Sequence, residues 1–141
     1  MTTSSTDSQA PALTTRMIYG SLILGQLLFA GVTFFRVRPN QDTITALPQQ
    51  TVILLFSAAV AACALALLLR RRIPARSNST SPDVFWTTAG QKALLTWMPL
   101  EAAGLFALAQ YFASIDPIAI VAAAVPLTLL GILNPWLLER T

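Results

Sequence analysis

The sequence predicts an all-α membrane protein: a four-transmembrane-helix bundle built as two hairpins, with both termini on the cytoplasmic side. Three observations predict it. The 141 residues are 55% apolar and only 11% charged, with a mean hydropathy of +0.63, a balance foreign to water-soluble domains. The apolar residues collect into four runs of roughly 20, the length that crosses a hydrocarbon layer about 30 Å thick. The basic residues gather at alternate run boundaries, which sets orientation. Such clustering, with a net charge of only +3, argues against nucleic acid as a partner.

Residues 1–15, MTTSSTDSQAPALTT, are rich in Ser and Thr and predict a disordered cytoplasmic tail. Residues 16–141 then form a single membrane domain. The first helix is expected over about 17–35, MIYGSLILGQLLFAGVTFF, ended by Arg36 and Arg38. It exceeds a signal-peptide core, and no A-x-A cleavage site follows, so it reads as a retained anchor. A second helix is expected over about 50–69, stopping at Arg70, Arg71 and Arg72. The third is expected over 82–115, opened by Ser81 as N-cap, Pro82 in the first turn and Asp83 facing the dipole.

At ~1.5 Å per residue that third helix measures about 51 Å, some 20 Å more than the hydrocarbon layer. Its first turns are therefore expected to project into the cytoplasm or to lie along the headgroups. Val84, Phe85 and Trp86 suit the second arrangement. The fourth helix is expected over 117–138, between Asp116 and Glu139–Arg140. All four must be helical, because backbone groups in hydrocarbon have only one another to bond. Residues 70–81 read as a flexible basic loop. Its Arg70, Arg71, Arg72 and Arg76 act either as a stop-transfer and topology signal, the simpler reading, or as an attraction for anionic lipid.

With both termini cytoplasmic, the inner side holds Arg16, Arg70, Arg71, Arg72, Arg76, Lys92 and Arg140, and the outer side only Arg36 and Arg38. Tyr19, Trp86, Trp97 and Trp136 then fall at or near the inner interface. The expected location is the bacterial cytoplasmic (inner) membrane. Small residues recur four apart at Ser21–Gly25, Ala58–Ala62–Ala66, Ala103–Ala107 and Ala109–Ala113, a spacing that lets helix backbones approach. Pro99 and Pro126 predict kinks in the third and fourth helices, more a matter of shape than of hinging.

The chain has no histidine and one cysteine, Cys63. That removes the usual haem and metal imidazoles and the commonest general base. Paired acids and an activated nucleophile are also missing, so no catalytic residue, cofactor site or metal site is expected, and no enzyme. One polar constellation remains. Glu101 lies in WMPLEAAGLF, about eight residues and some 12 Å into its helix. A charge there costs roughly 3 kcal/mol on insertion scales, so Glu101 is expected to face the bundle.

Gln26, midway along the first helix, runs in the same direction and reaches the same depth. Thr96 and Trp97 lie nearby in sequence. The structural reading is a buried acid bonded to Gln26 and fixing helix register. The functional reading is a proton relay or cation site. With no second acid, lysine or histidine in a span, the structural reading is the stronger.

The stretches LILGQLLFAGVTFF and PLEAAGLFALAQYF, with Pro135 near the end of the fourth helix, resemble a group of small bacterial four-helix membrane proteins built as tandem hairpins. The resemblance covers the four spans and brings no activity with it. Rotor c-subunits, by contrast, carry their acid in the second helix of a hairpin. Small multidrug exporters carry it in the first helix, where this chain has Gln26. The expected function is structural or accessory: a membrane protein associating with itself or with other membrane-protein subunits in the lipid bilayer. The alternative is a proton- or cation-coupled permease using Glu101.

Overall fold

The computed structural model describes residues 10–37, 45–77 and 79–140. They form five helices: α1 (Ala10–Val37), α2 (Gln49–Arg70), α3 (Pro82–Ser114), α4 (Pro117–Ile132) and the short α5 (Pro135–Leu138). Three of them, α1, α2 and α3, are long and apolar enough to cross a membrane. The fourth, α4, is apolar but has only 16 residues, about 24 Å at ~1.5 Å per residue.

The central helix is α3, which packs against α1, α2 and α4, while α2 also packs against α4. Both ends of the bundle are tied. At one, Arg16 near the start of α1 meets Glu139 near the end of the chain at 2.9 Å. At the other, the N–H of Thr45 donates to the carbonyl of Ser114 at 3.0 Å. Helices α1 and α3 run parallel in constant register. Thr15 stands against Gly90 and Gln26 against Glu101, an offset of 75 residues at both levels (90 − 15 and 101 − 26).

The interior has two chemically different halves. Toward the Arg16 end it is aromatic, with Tyr19, Phe85, Trp86 and Trp97 buried among Ala66, Ala93, Leu100 and Leu130. Toward the Ser114 end it is built of Leu55, Ala107, Leu108, Ala119, Ala122 and Ala123. The seam of α2 is Leu55, Ala59, Ala62 and Ala66, the alternating four-three spacing of interlocking helices. It takes Ala59 where the sequence suggested Ala58. Ala103 and Ala107 are buried, whereas Ser21, Gly25, Ala109 and Ala113 are exposed.

Three expectations are corrected. Helix α1 begins at Ala10, not at Met17, so residues 10–15 of the expected disordered tail are helical; residues 1–9 lie outside the described ones. Pro11 fits a first helical turn, and the Thr15 hydroxyl donates to the Pro11 carbonyl at 2.9 Å. Ala12 and Thr15 are buried, Thr15 against Gly90 of α3. The first turns of α3 thus supply the surface on which α1 extends.

The apolar residues at that start do not form the exposed face that contact with headgroups would need. Phe85 and Trp86 are 4% and 2% exposed inside the protein, and Val84, at 62%, faces outward. The expected fourth helix, 117–138, is broken. Pro135 has no N–H for the Gly131 carbonyl and disfavours helical backbone at Asn134. The chain restarts as α5, capped by Asn134, whose Oδ1 accepts from the Leu137 N–H at 2.9 Å.

Other boundaries fall close to expectation. The Ser81 hydroxyl caps α3 by accepting from the Val84 N–H at 3.4 Å. The same helix stops at Ser114, where Ile115 turns into the left-handed region at φ 60°. Pro99 and Pro126 lie within α3 and α4, and both helices continue through them. The basic loop is pinned at two points: Ile73 is buried, and Arg76 Nε donates to the Thr80 carbonyl at 2.8 Å. Arg38 lies outside the described residues.

Candidate functional site around Glu101 and Glu139

At the depth of Glu101 the inward face of α3 is Trp97, Leu100, Gly104 and Leu108, and Glu101 is half-buried at its edge. Gln26, 2% exposed, faces it from α1. Its Nε2 donates to the backbone carbonyl of Glu101 at 3.2 Å, using the second lone pair that a helical carbonyl retains. Its Oε1 is buried without a partner. Gly104 makes this approach possible, since a Cβ there would sit 2.8 Å from that Oε1.

The contact between α1 and α3 is therefore amide to backbone, not amide to carboxylate. Among the described residues the Glu101 carboxylate has no hydrogen-bond or ion-pair partner. Its two expected companions bond elsewhere. Thr96 Oγ1 donates to the Lys92 carbonyl at 2.8 Å, the back-bonding typical of a helical threonine. Trp97 Nε1 donates to the Leu133 carbonyl at 2.8 Å.

Trp97 is occupied there because α4 is broken. A helix end leaves carbonyls without intrahelical donors, and here three side chains supply them. Tyr19 Oη donates to the Leu130 carbonyl at 3.0 Å. Asn134 Nδ2 donates to the Gly131 carbonyl at 3.0 Å, the one Pro135 leaves empty. Trp97 serves Leu133. The Tyr19 and Trp97 rings lie 4.9 Å apart, so ring packing joins α1 to α3 while their hydrogen bonds hold both to the end of α4.

The second glutamate, Glu139, is missed by sequence reasoning. Its carboxylate, 10% exposed, accepts from Arg16 Nη2 at 2.9 and 3.0 Å and from Trp86 Nε1 at 2.6 Å. Arg76 Nη1 approaches at 3.8 Å. One carboxylate thus joins the start of α1, the basic loop, the start of α3 and the end of the chain. No local signal marks it, because its hydrogen-bond partners lie 123 and 53 residues away. The available hint is an excess of arginine at this end, which calls for a counter-charge.

At the opposite end Asp116 has a similar joining role on a smaller scale. Its Oδ2 accepts from the Leu47 N–H at 2.9 Å, and its Oδ1 accepts from the Ile118 N–H at 3.0 Å. These two donors, Leu47 and then Ile118, hold the carboxyl below the usual carboxylate range. Arg70 ends α2, and Arg71 and Arg72 follow it directly, at the Glu139 end. Among the described residues no three acidic or thiol side chains gather as a metal ligand set.

Thr96, Trp97 and Gln26 thus each bond a backbone carbonyl, and none of them pairs with the Glu101 carboxylate. No protein-family model, no curated protein and no solved structure matches the chain.

Proposed function

We propose that this chain is a multi-pass protein of the bacterial cytoplasmic membrane with a structural or accessory role, working with copies of itself or with other membrane-protein subunits. Helices α1, α2 and α3 cross the bilayer, and α4 with α5 makes the fourth passage. The Arg16–Glu139 end faces the cytoplasm, in accord with the lysine and arginine bias. The observation that carries this reading is the use made of Gln26, the only buried amide among the described residues. It holds α1 to the α3 backbone beside Gly104 and offers Glu101 no relay partner.

Association is supported by the face of α1 turned away from α3. Leu24, Leu27, Leu28 and Val32 are exposed there, and a Cβ added at Gly20, Gly25 or Gly31 would meet nothing. The second reading, a proton- or cation-coupled permease, is favoured by the unpartnered Gln26 Oε1 at the depth of Glu101.

Reconstitution in liposomes separates the two. Under an imposed pH gradient, wild type and Glu101→Gln should show the same background leak. A flux that disappears in the variant would replace the accessory role with the permease. A reporter fused after Thr141 should be active only in the cytoplasm, and periplasmic activity would reverse the orientation.

A further inference from the structure

Where the chain leaves α2 beside α3, a leucine and a cation recur on the two segments in opposite order. Leu69 is followed three residues later by Arg72, and Lys92 is followed three residues later by Leu95. Because α2 descends and α3 ascends, the two cations share one level and the two leucines lie a turn deeper. These four residues line a single cleft of about 130 Å³, room for about four waters at ~30 Å³ each, or for one phosphate group. Arg72 and Lys92 are exposed, and among the described residues neither has an acidic partner. Of the two described acids at this end, Glu139 is already held by Arg16, Arg76 and Trp86, and Asp83 lines a separate hollow beside Arg16.

We infer that this cleft binds the headgroup of an anionic phospholipid, with the phosphate between Arg72 and Lys92 and an acyl chain running down over Leu69 and Leu95. Two like charges brought to one cleft repel unless an anion lies between them, and a phosphodiester supplies that charge with acceptor oxygens for both. A free phosphate would satisfy the cations equally. It would leave the leucines below uncovered, and Leu95 is 56% exposed. The level is also right for lipid: Lys92 is the last charged residue before the apolar course of α3, and Arg70 closes that of α2. The inference rests on the proposed bilayer crossing and adds to it a place and a ligand class.

The test reconstitutes the full chain in nanodiscs of equal phosphatidylcholine and phosphatidylglycerol, then counts co-purifying lipids by native mass spectrometry. Wild type should retain phosphatidylglycerol over phosphatidylcholine by about tenfold, the factor expected from one well-made charged contact. Arg72→Gln and Lys92→Gln, both at exposed positions, should bring the ratio close to that of the bulk bilayer. Arg71→Gln, exposed and outside the cleft, should leave it unchanged.

Equal losses in all three variants would reduce the effect to general surface charge and overturn the site. Unchanged retention in Arg72→Gln and Lys92→Gln would overturn it too. Displacement of the lipid by millimolar inorganic phosphate would make this a free-anion site, against the inference. Failure of wild type to enter nanodiscs at all would overturn the bilayer crossing and this site together, whereas entry without preference overturns the site alone.

Discussion

The regions around Glu139 and Glu101 hold the same side chain in opposite circumstances. Around Glu139, two arginines and an indole converge on a carboxylate that is 10% exposed. Around Glu101, the nearest buried polar group ignores the carboxylate and bonds the backbone beneath it. The difference follows from depth. The Glu139 clasp lies at the level of the charged residues that bound the apolar runs, where long cationic side chains are available. At the depth of Glu101 no cation exists in the sequence, and close helix contact does the holding. Polarity within a long apolar helix therefore does not identify the residue that organises the fold.

The largest expected effect comes from breaking the richer region. Glu139→Gln removes the charge facing Arg16 and Arg76, and unfolding in detergent or nanodiscs should show a loss of about 2–3 kcal/mol, less than for a fully buried pair because Arg16 is partly solvated. A smaller loss, about 1–2 kcal/mol from overpacking, should follow Gly104→Ala, whose new Cβ would crowd Gln26 Oε1. Adding Gln26→Ala should recover much of that loss. Additive losses in the double variant would mean that the two side chains do not share the seam.

Trp97→Phe keeps an aromatic ring but removes the donor to Leu133 and part of the buried indole, so a cost of about 1–2 kcal/mol is expected in the same assay. The third carboxylate, Asp116, sharpens the comparison by pH. Its two backbone donors lower its folded pKa, so its contribution is present above the ordinary carboxylate range, near 4, and fades as pH falls through the lowered value. Acid titration of unfolding should show a small extra loss in wild type below about pH 4, and that increment should be missing in Asp116→Asn.

Much of the fold was legible because its signals are local. Apolar run lengths placed α2 within one residue at each end, and Ser81–Pro82–Asp83 marked the start of α3. The pairing of Gln26 with α3 was legible from equal depth on parallel helices. Its target was not: depth places two residues side by side without saying which atom accepts. The start of α1 was hidden because residues 10–15 have a disordered composition, and only the packing of Ala12 and Thr15 on α3 makes them helical. The break at Leu133–Asn134 could have been read from Pro135. Glu139 could not, since its partners are brought to it only by the whole chain.

The most direct test sets Glu101→Ala beside Glu139→Ala in one thermal-unfolding experiment in the same bilayer. The account predicts that Glu139→Ala melts several degrees lower than wild type, while Glu101→Ala melts within a degree or so of it, or higher. The opposite order, with Glu101→Ala the more damaged, would contradict the claim that the molecule is fastened at Glu139.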